Sequence, residues 1–85
     1  MVPLGKLVIT RQALDTLSKD AVFAALARHQ AEDWGDVCDE DRQANDAALK
    51  DGSRILSVYQ FADTKFWIIT EADRSVTTVL LPEDY

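Results

Sequence analysis

The period of apolar and polar positions changes several times along the chain, and each change predicts an element. Lys6-Leu7-Val8-Ile9-Thr10 is a short run of branched residues behind Pro3 and Gly5, and it predicts a strand. From Thr10 the spacing turns helical. Ala13, Leu14 and Leu17 follow at three- and four-residue steps, with Thr10 placed as an N-cap. Ser18 supplies a second cap and opens a longer helix from Lys19 to about Gln30, with Asp20 in its first turn. Val22, Phe23, Ala25, Leu26 and His29 recur on one face of that helix, so this face is expected to pack inward. Helices joined this closely are expected to form a hairpin.

The helical pattern breaks between Glu32 and Cys38. Gly35 is the turn residue there, and Trp34 beside it is large enough to anchor the loop on a core. A third helix is predicted from Asp39 to Lys50, acidic at its start, basic at its end and stopped by Gly52. Asp46 and Lys50 stand four apart and can pair. Its apolar face is thin (Ala44, Ala47, Ala48 and Leu49), which places it on the surface. Three strands follow, over Arg54–Phe61, Lys65–Thr70 and Ser75–Leu81, with Ala62-Asp63-Thr64 as a hairpin turn and Pro82 as the stop. Phe66-Trp67-Ile68-Ile69 is apolar at successive positions, so the middle one of these strands is expected to be central. The expected architecture is α+β: an N-terminal strand, two or three helices, then a three-stranded antiparallel sheet with helices packed on one face. Residues 1–85 are expected to form a single domain, since 85 residues do not support two cores.

Charge sharpens this picture more than overall composition does. Nine Lys and Arg stand against fifteen Asp and Glu, a formal net charge of −6. From Glu32 to Asp51 there are eight acidic and two basic residues, which accounts for the whole excess. No cluster of Lys and Arg is present to neutralise phosphates, so direct nucleic-acid binding is disfavoured. The single cysteine, Cys38, requires no oxidising compartment, and no apolar run reaches membrane-spanning length. With no signal-peptide pattern at Met1–Leu4, a cytoplasmic protein without membrane contact is expected.

The candidate chemistry is sparse. Glu71, Asp73 and Arg74, within Thr70–Ser75, form the densest polar group beside the sheet and could bind a ligand. The competing reading, favoured by the hairpin context, has Asp73 and Ser75 making turn bonds while Arg74 pairs with a carboxylate. His29 and Cys38 are each the only residue of their type, too few for zinc, and their spacing indicates no nucleophile–base pair. His29 is expected to pack or cap, and Cys38 to fill a small apolar space. The run around Asp36, Asp39, Glu40 and Asp41 lacks the glycine-centred alternation of a calcium loop. A solvated helix face is the bland reading, and a negative surface for a protein partner with a basic face is the functional one. No catalytic residue, metal or cofactor is therefore assigned.

Asp33-Trp34-Gly35-Asp36, Asp41-Arg42-Gln43-Ala44-Asn45-Asp46, Gly52 to Ser57 with Tyr59, Trp67 to Ser75, and Leu80-Leu81-Pro82-Glu83 with Tyr85 together resemble a family of small uncharacterised bacterial proteins. The resemblance covers roughly residues 27–85. It implies carriage on plasmids or other mobile elements, and no activity. The expected function is that of a small acidic accessory or protein-interaction module without catalysis, acting through Asp36, Asp39, Glu40 and Asp41. The alternative is a RelE/ParE-like small ribonuclease or a degraded relative, which would draw on Tyr59, Arg54, Arg74 and His29. That alternative rests on a loose likeness in element order.

Overall fold

The computed structural model of the chain describes residues 1–85, in the order β1 (Lys6–Ile9), α1 (Arg11–Thr16), α2 (Lys19–Gln30), α3 (Asp39–Asp51), β2 (Ile55–Phe61), β3 (Thr64–Thr70) and β4 (Val76–Leu80). A 3-10 turn over Pro82–Asp84 follows. Local chemistry sets most boundaries. Thr10 and Ser18 accept from the amides of Ala13 and Ala21, so both expected N-caps form. Gly52 ends α3 in the left-handed region at φ 79°, where a side chain would be strained. Phe61 pairs with Thr64, which leaves Ala62-Asp63 as a two-residue hairpin loop, with Ala62 at φ 53°.

The sheet corrects one expectation. It has four strands in the order β1-β4-β3-β2, and it is mixed rather than antiparallel: β2–β3 and β3–β4 are antiparallel, while β1 runs parallel to β4. The N-terminal strand crosses over to the far edge, beside the last strand rather than the first of the three. Lys6 and Thr10 amides donate to the carbonyls of Ser75 and Val79 and fix this register. β3 is interior, as its two apolar faces require.

The inward parity of the strands carries Ile55, Ser57 and Tyr59 on β2, Phe66, Ile68 and Thr70 on β3, and Thr77 and Val79 on β4, all buried. Helices α1 and α2 cover this face. Ala13, Leu17, Ala25 and Leu26 meet Tyr59, Phe66, Ile68, Val79 and Leu81 in the main core. Each large apolar side chain buried there stabilises the fold by about 1.5–3 kcal/mol. α1 sits against β4 and α2 against β2, so the expected helical hairpin is replaced by two helices that each find a strand. A second cluster (Val2, Trp34, Val37, Ala48 and Ile55) lies between α3 and the β2 end of the sheet. The His29 and Trp34 rings meet edge to face at 5.8 Å between centroids, and this contact ties α2, which carries Ala25 and Leu26 of the main core, to the second cluster.

Several side chains depart from their expected places. Phe23 lies on the apolar stripe of α2 but is 63% exposed, because that stripe overhangs β1, where the sheet ends. α3 buries Asn45 and Ala48 rather than Ala44, Ala47 and Leu49. Cys38 is exposed at the start of α3 instead of filling a core space, and it makes no side-chain cap.

Candidate functional site

The two sheet edges are treated differently, and the difference organises the candidate surfaces. At the β2 edge, Asn45 on α3 acts as a substitute strand. Its amide donates to the Leu56 carbonyl at 2.7 Å, and its oxygen accepts from the Leu56 amide at 3.1 Å. Two residues along, the Val58 amide donates to the Trp34 carbonyl and its carbonyl accepts from the Asp36 amide, forming an isolated parallel bridge at Gly35. Gly35 has φ 75°, and a Cβ there would collide with the Val58 carbonyl oxygen, so this close approach requires glycine. The β2 edge is thereby closed.

The acidic segment hangs from this closed edge. Asp36, Asp39, Glu40 and Asp41 are all exposed, and the last three lie in the first turn of α3, where the helix dipole favours negative charge. Asp39 pairs with Arg42 at 3.2 Å. Its neighbours in the segment are engaged elsewhere. Glu32 meets the N-terminal ammonium, Asp33 meets Arg28, and Asp51 accepts from Ser53. The Arg28 guanidinium and the Gly35 amide hold the Asp33 carboxyl below its usual range. Asp46 accepts from the Trp34 indole at 3.1 Å, and that bond takes the place of the expected pair with Lys50.

Asp73 and Arg74 are tied into the β3–β4 turn by their side chains, and Glu71 joins them through its backbone amide and carbonyl. Asp73 accepts from both the amide and the hydroxyl of Ser75, as the turn reading expected, and these bonds lower its carboxyl pKa. Arg74 pairs with no carboxylate. Its guanidinium donates to the carbonyls of Ser53, Glu71 and Ala72 at 2.7, 3.2 and 3.3 Å, and to that of Ala48 at 2.9 Å. Arg74 itself stands at φ 61°. It therefore binds the β3–β4 turn to the last turn of α3 and to Ser53, two residues past the helix end.

Beneath α2 lies a buried chain of polar groups that no local pattern announced. His29, fully buried, places Nδ1 2.6 Å from the Ser57 hydroxyl and Nε2 2.8 Å from that of Thr70. Thr70 is 2.7 Å from the Thr77 hydroxyl, and Thr77 donates to the Leu4 carbonyl at 2.7 Å. The last link fixes the rest. Since the Thr77 hydrogen goes to Leu4, Thr70 must donate to Thr77, and so accepts from Nε2–H; in the neutral ring that burial favours, Nδ1 accepts from Ser57. The imidazole is held neutral as the Nε2–H tautomer. Burial, with a smaller contribution from the Arg74 charge, lowers its pKa to about 4. Ser57, Thr70 and Thr77 share the inward parity of adjacent strands, and that was the one sequence signal that could have found them.

The four residues of the ribonuclease alternative are each engaged separately. His29 is closed in the core, and the Tyr59 hydroxyl donates to the Asp33 carbonyl under the Arg28 guanidinium. Arg54 donates to the Tyr85 hydroxyl, and Arg74 holds its carbonyls. Burial pushes the Tyr59 phenol up to about 12, which keeps it protonated. No three His, Cys, Asp or Glu side chains converge as a metal site, and every buried side-chain nitrogen and oxygen has a partner.

At the opposite end of the sheet, β1 is an open edge. Beside it, an apolar groove of about 370 Å³ runs between β1 and the two helices, walled by Leu7, Ile9, Leu14, Leu17, Phe23 and Leu26. No helix of the structure is long and apolar enough to cross a membrane. Comparison with family models, with curated proteins and with solved structures finds no match.

Proposed function

We propose that this chain is a non-catalytic protein-interaction module of the cytoplasm that presents Asp36, Asp39, Glu40 and Asp41 to a partner with a basic surface. The carrying observation is the arrangement of these carboxylates. All four are exposed on one loop and the helix turn that follows it, and the segment's three ion pairs involve only Asp39 among them. Such a face raises the association rate of a basic partner through long-range attraction and fixes its orientation. The polar groups that could have served chemistry are occupied in holding the fold together: His29 by two hydroxyls, Arg74 by four carbonyls, Asp73 by its turn. By the resemblance of residues 27–85, the module belongs to a plasmid or other mobile element.

The test is affinity capture from the native host with the wild-type chain and with the variant D36N/D39N/E40Q/D41N, repeated across ionic strength. Wild-type capture is expected to weaken as salt rises, and the variant is expected to lose most of the captured partner at low salt. Quantitative capture of the same partner by the variant, with the same salt dependence, would remove this face from consideration.

A further inference from the structure

We propose that β1 pairs with β1 of a second copy, antiparallel about Val8, so that two four-stranded sheets join across a two-fold axis. In the parallel ladder with β4, the backbone groups of Lys6 and Thr10 face β4, as their bonds to Ser75 and Val79 show. Alternation therefore turns the amides and carbonyls of Leu7 and Ile9 outward, where this chain offers them no strand. The β2 edge carries the same alternation, but there Asn45 and the Trp34–Asp36 bridge take up the outward groups of Leu56 and Val58. One edge is closed by side chain and loop, and the other is left for a partner.

The register follows from which groups face out. Only an outward residue can bond an outward residue, and placing Leu7 opposite Ile9 of the second copy uses both twice, for about four intermolecular hydrogen bonds. Val8 then meets Val8 at the axis. On the helix face, Leu7 and Ile9 come together across the axis, and the two grooves run into one another, so that Leu14 and Phe23, 56% and 63% exposed in the single chain, gain apolar cover. On the other face, Lys6 is set opposite Thr10. The Thr10 hydroxyl donates to Asp84 at 2.6 Å, so each Lys6 ammonium, which has no ion pair within its own chain, arrives beside an Asp84 carboxylate of the other copy. A lysine on a free edge ordinarily discourages pairing. In this register it is complemented, and in the register centred on Leu7 it would face Val8 instead. Charge and hydrogen bonding thus select the same arrangement, which a strand from an unrelated partner would have no reason to match. This inference does not depend on the acidic face, which lies at the other end of the sheet.

Sedimentation across a concentration series tests the assembly, and a designed cross-link tests the register. The wild-type chain is expected at twice its 9.5 kDa mass as concentration rises. Val8→Glu sets two like charges at the axis and is expected to weaken dimerisation by at least about tenfold while far-UV circular dichroism stays unchanged. In a Cys38→Ser background, Val8→Cys is expected to oxidise to a disulfide-linked dimer, since its two Cα atoms stand roughly 4.5 Å apart in a non-hydrogen-bonded pair. Leu7→Cys is expected to cross-link poorly. A monomer at every concentration would overturn the proposal, as would a dimer that Leu7→Cys traps and Val8→Cys does not. Either result leaves the partner-capture experiment untouched, so the two readings fail separately.

Discussion

At the residue scale, His29 shows how a side chain that invites a catalytic reading becomes structural. Its two nitrogens sit between a donor and an acceptor whose roles are fixed by Thr77 and Leu4, and the neutral ring is the form that fits. This fit has a consequence for stability. The folded-state pKa lies at about 4, below the ordinary 6.5, so the unfolded chain binds a proton that the folded one refuses. The stabilisation is complete above pH 6.5 and declines as pH falls towards 4, where the His29 contribution levels off. The expected loss by pH 5 is roughly 2 kcal/mol. Urea unfolding of the wild type and of His29→Gln at pH 7.5 and pH 5 checks this. The wild type should lose stability across the interval, and the variant, less stable throughout, should lose much less. Equal losses would mean that other groups carry the pH dependence. The carboxyls with lowered pKa, Asp33, Asp51 and Asp73, act below their ordinary 3.8 and so leave this window to the histidine.

At the scale of elements, what the sequence disclosed and what it hid divide by range. Thr10, Ser18 and Gly52 marked their helix ends because a cap is a contact among near neighbours. The unbroken apolar run Phe66-Trp67-Ile68-Ile69 marked β3 as interior, because a strand covered on both faces shows it in successive residues. The position of β1 was hidden, since nothing local in Leu7-Val8-Ile9 distinguishes β4 from β2 as its neighbour. Asn45 was hidden too. An amide bonding the backbone of a strand eleven residues away leaves no periodicity, and of the expected apolar face only Ala48 lies on the side that Asn45 buries. The acidic surface was legible as composition, because charges that remain solvated need no long-range partner. The Asn45 contact also carries a measurable cost. Asn45→Ala would strand the amide and carbonyl of Leu56 together, so a loss of about 2–3 kcal/mol is expected from chemical denaturation. Ala47→Asn, one helical position from the neighbouring buried Ala48 but itself exposed, should change stability by only a few tenths of a kcal/mol. If both variants unfold at the wild-type midpoint, the Asn45 bonds do not close the edge.

At the scale of the whole molecule, the question is whether the two apolar clusters melt as one. The second cluster, with Val2, Trp34, Val37, Ala48 and Ile55, contains much of what α3 buries, and an α3 that peeled away early would take it along. Three ties oppose that. The His29–Trp34 contact ties α2 to the second cluster, the Val2 amide donates to the Gln30 carbonyl at 3.0 Å, and Arg74 clamps the end of α3 to the β3–β4 turn. A chain of 85 residues bound in this way is expected to unfold in one step. Trp34 reports on the second cluster, while Trp67 lies on the opposite face of the sheet, stacked edge-on against Tyr85 at 5.6 Å. In a Trp67→Phe background, the fluorescence of Trp34 and the far-UV circular dichroism should therefore trace the same urea transition. Adding Arg74→Ala removes bonds to four carbonyls, and the expected result is a loss of about 1–2 kcal/mol with the Trp34 transition now preceding the circular dichroism. Arg74→Lys should recover little, because an ammonium cannot reproduce the planar fork that reaches Ser53 and Ala48 together. Separate transitions already present with Arg74 in place would show that α3 and its cluster are an independent unit. The clamp would then be a surface contact rather than the tie that makes the molecule fold as a whole.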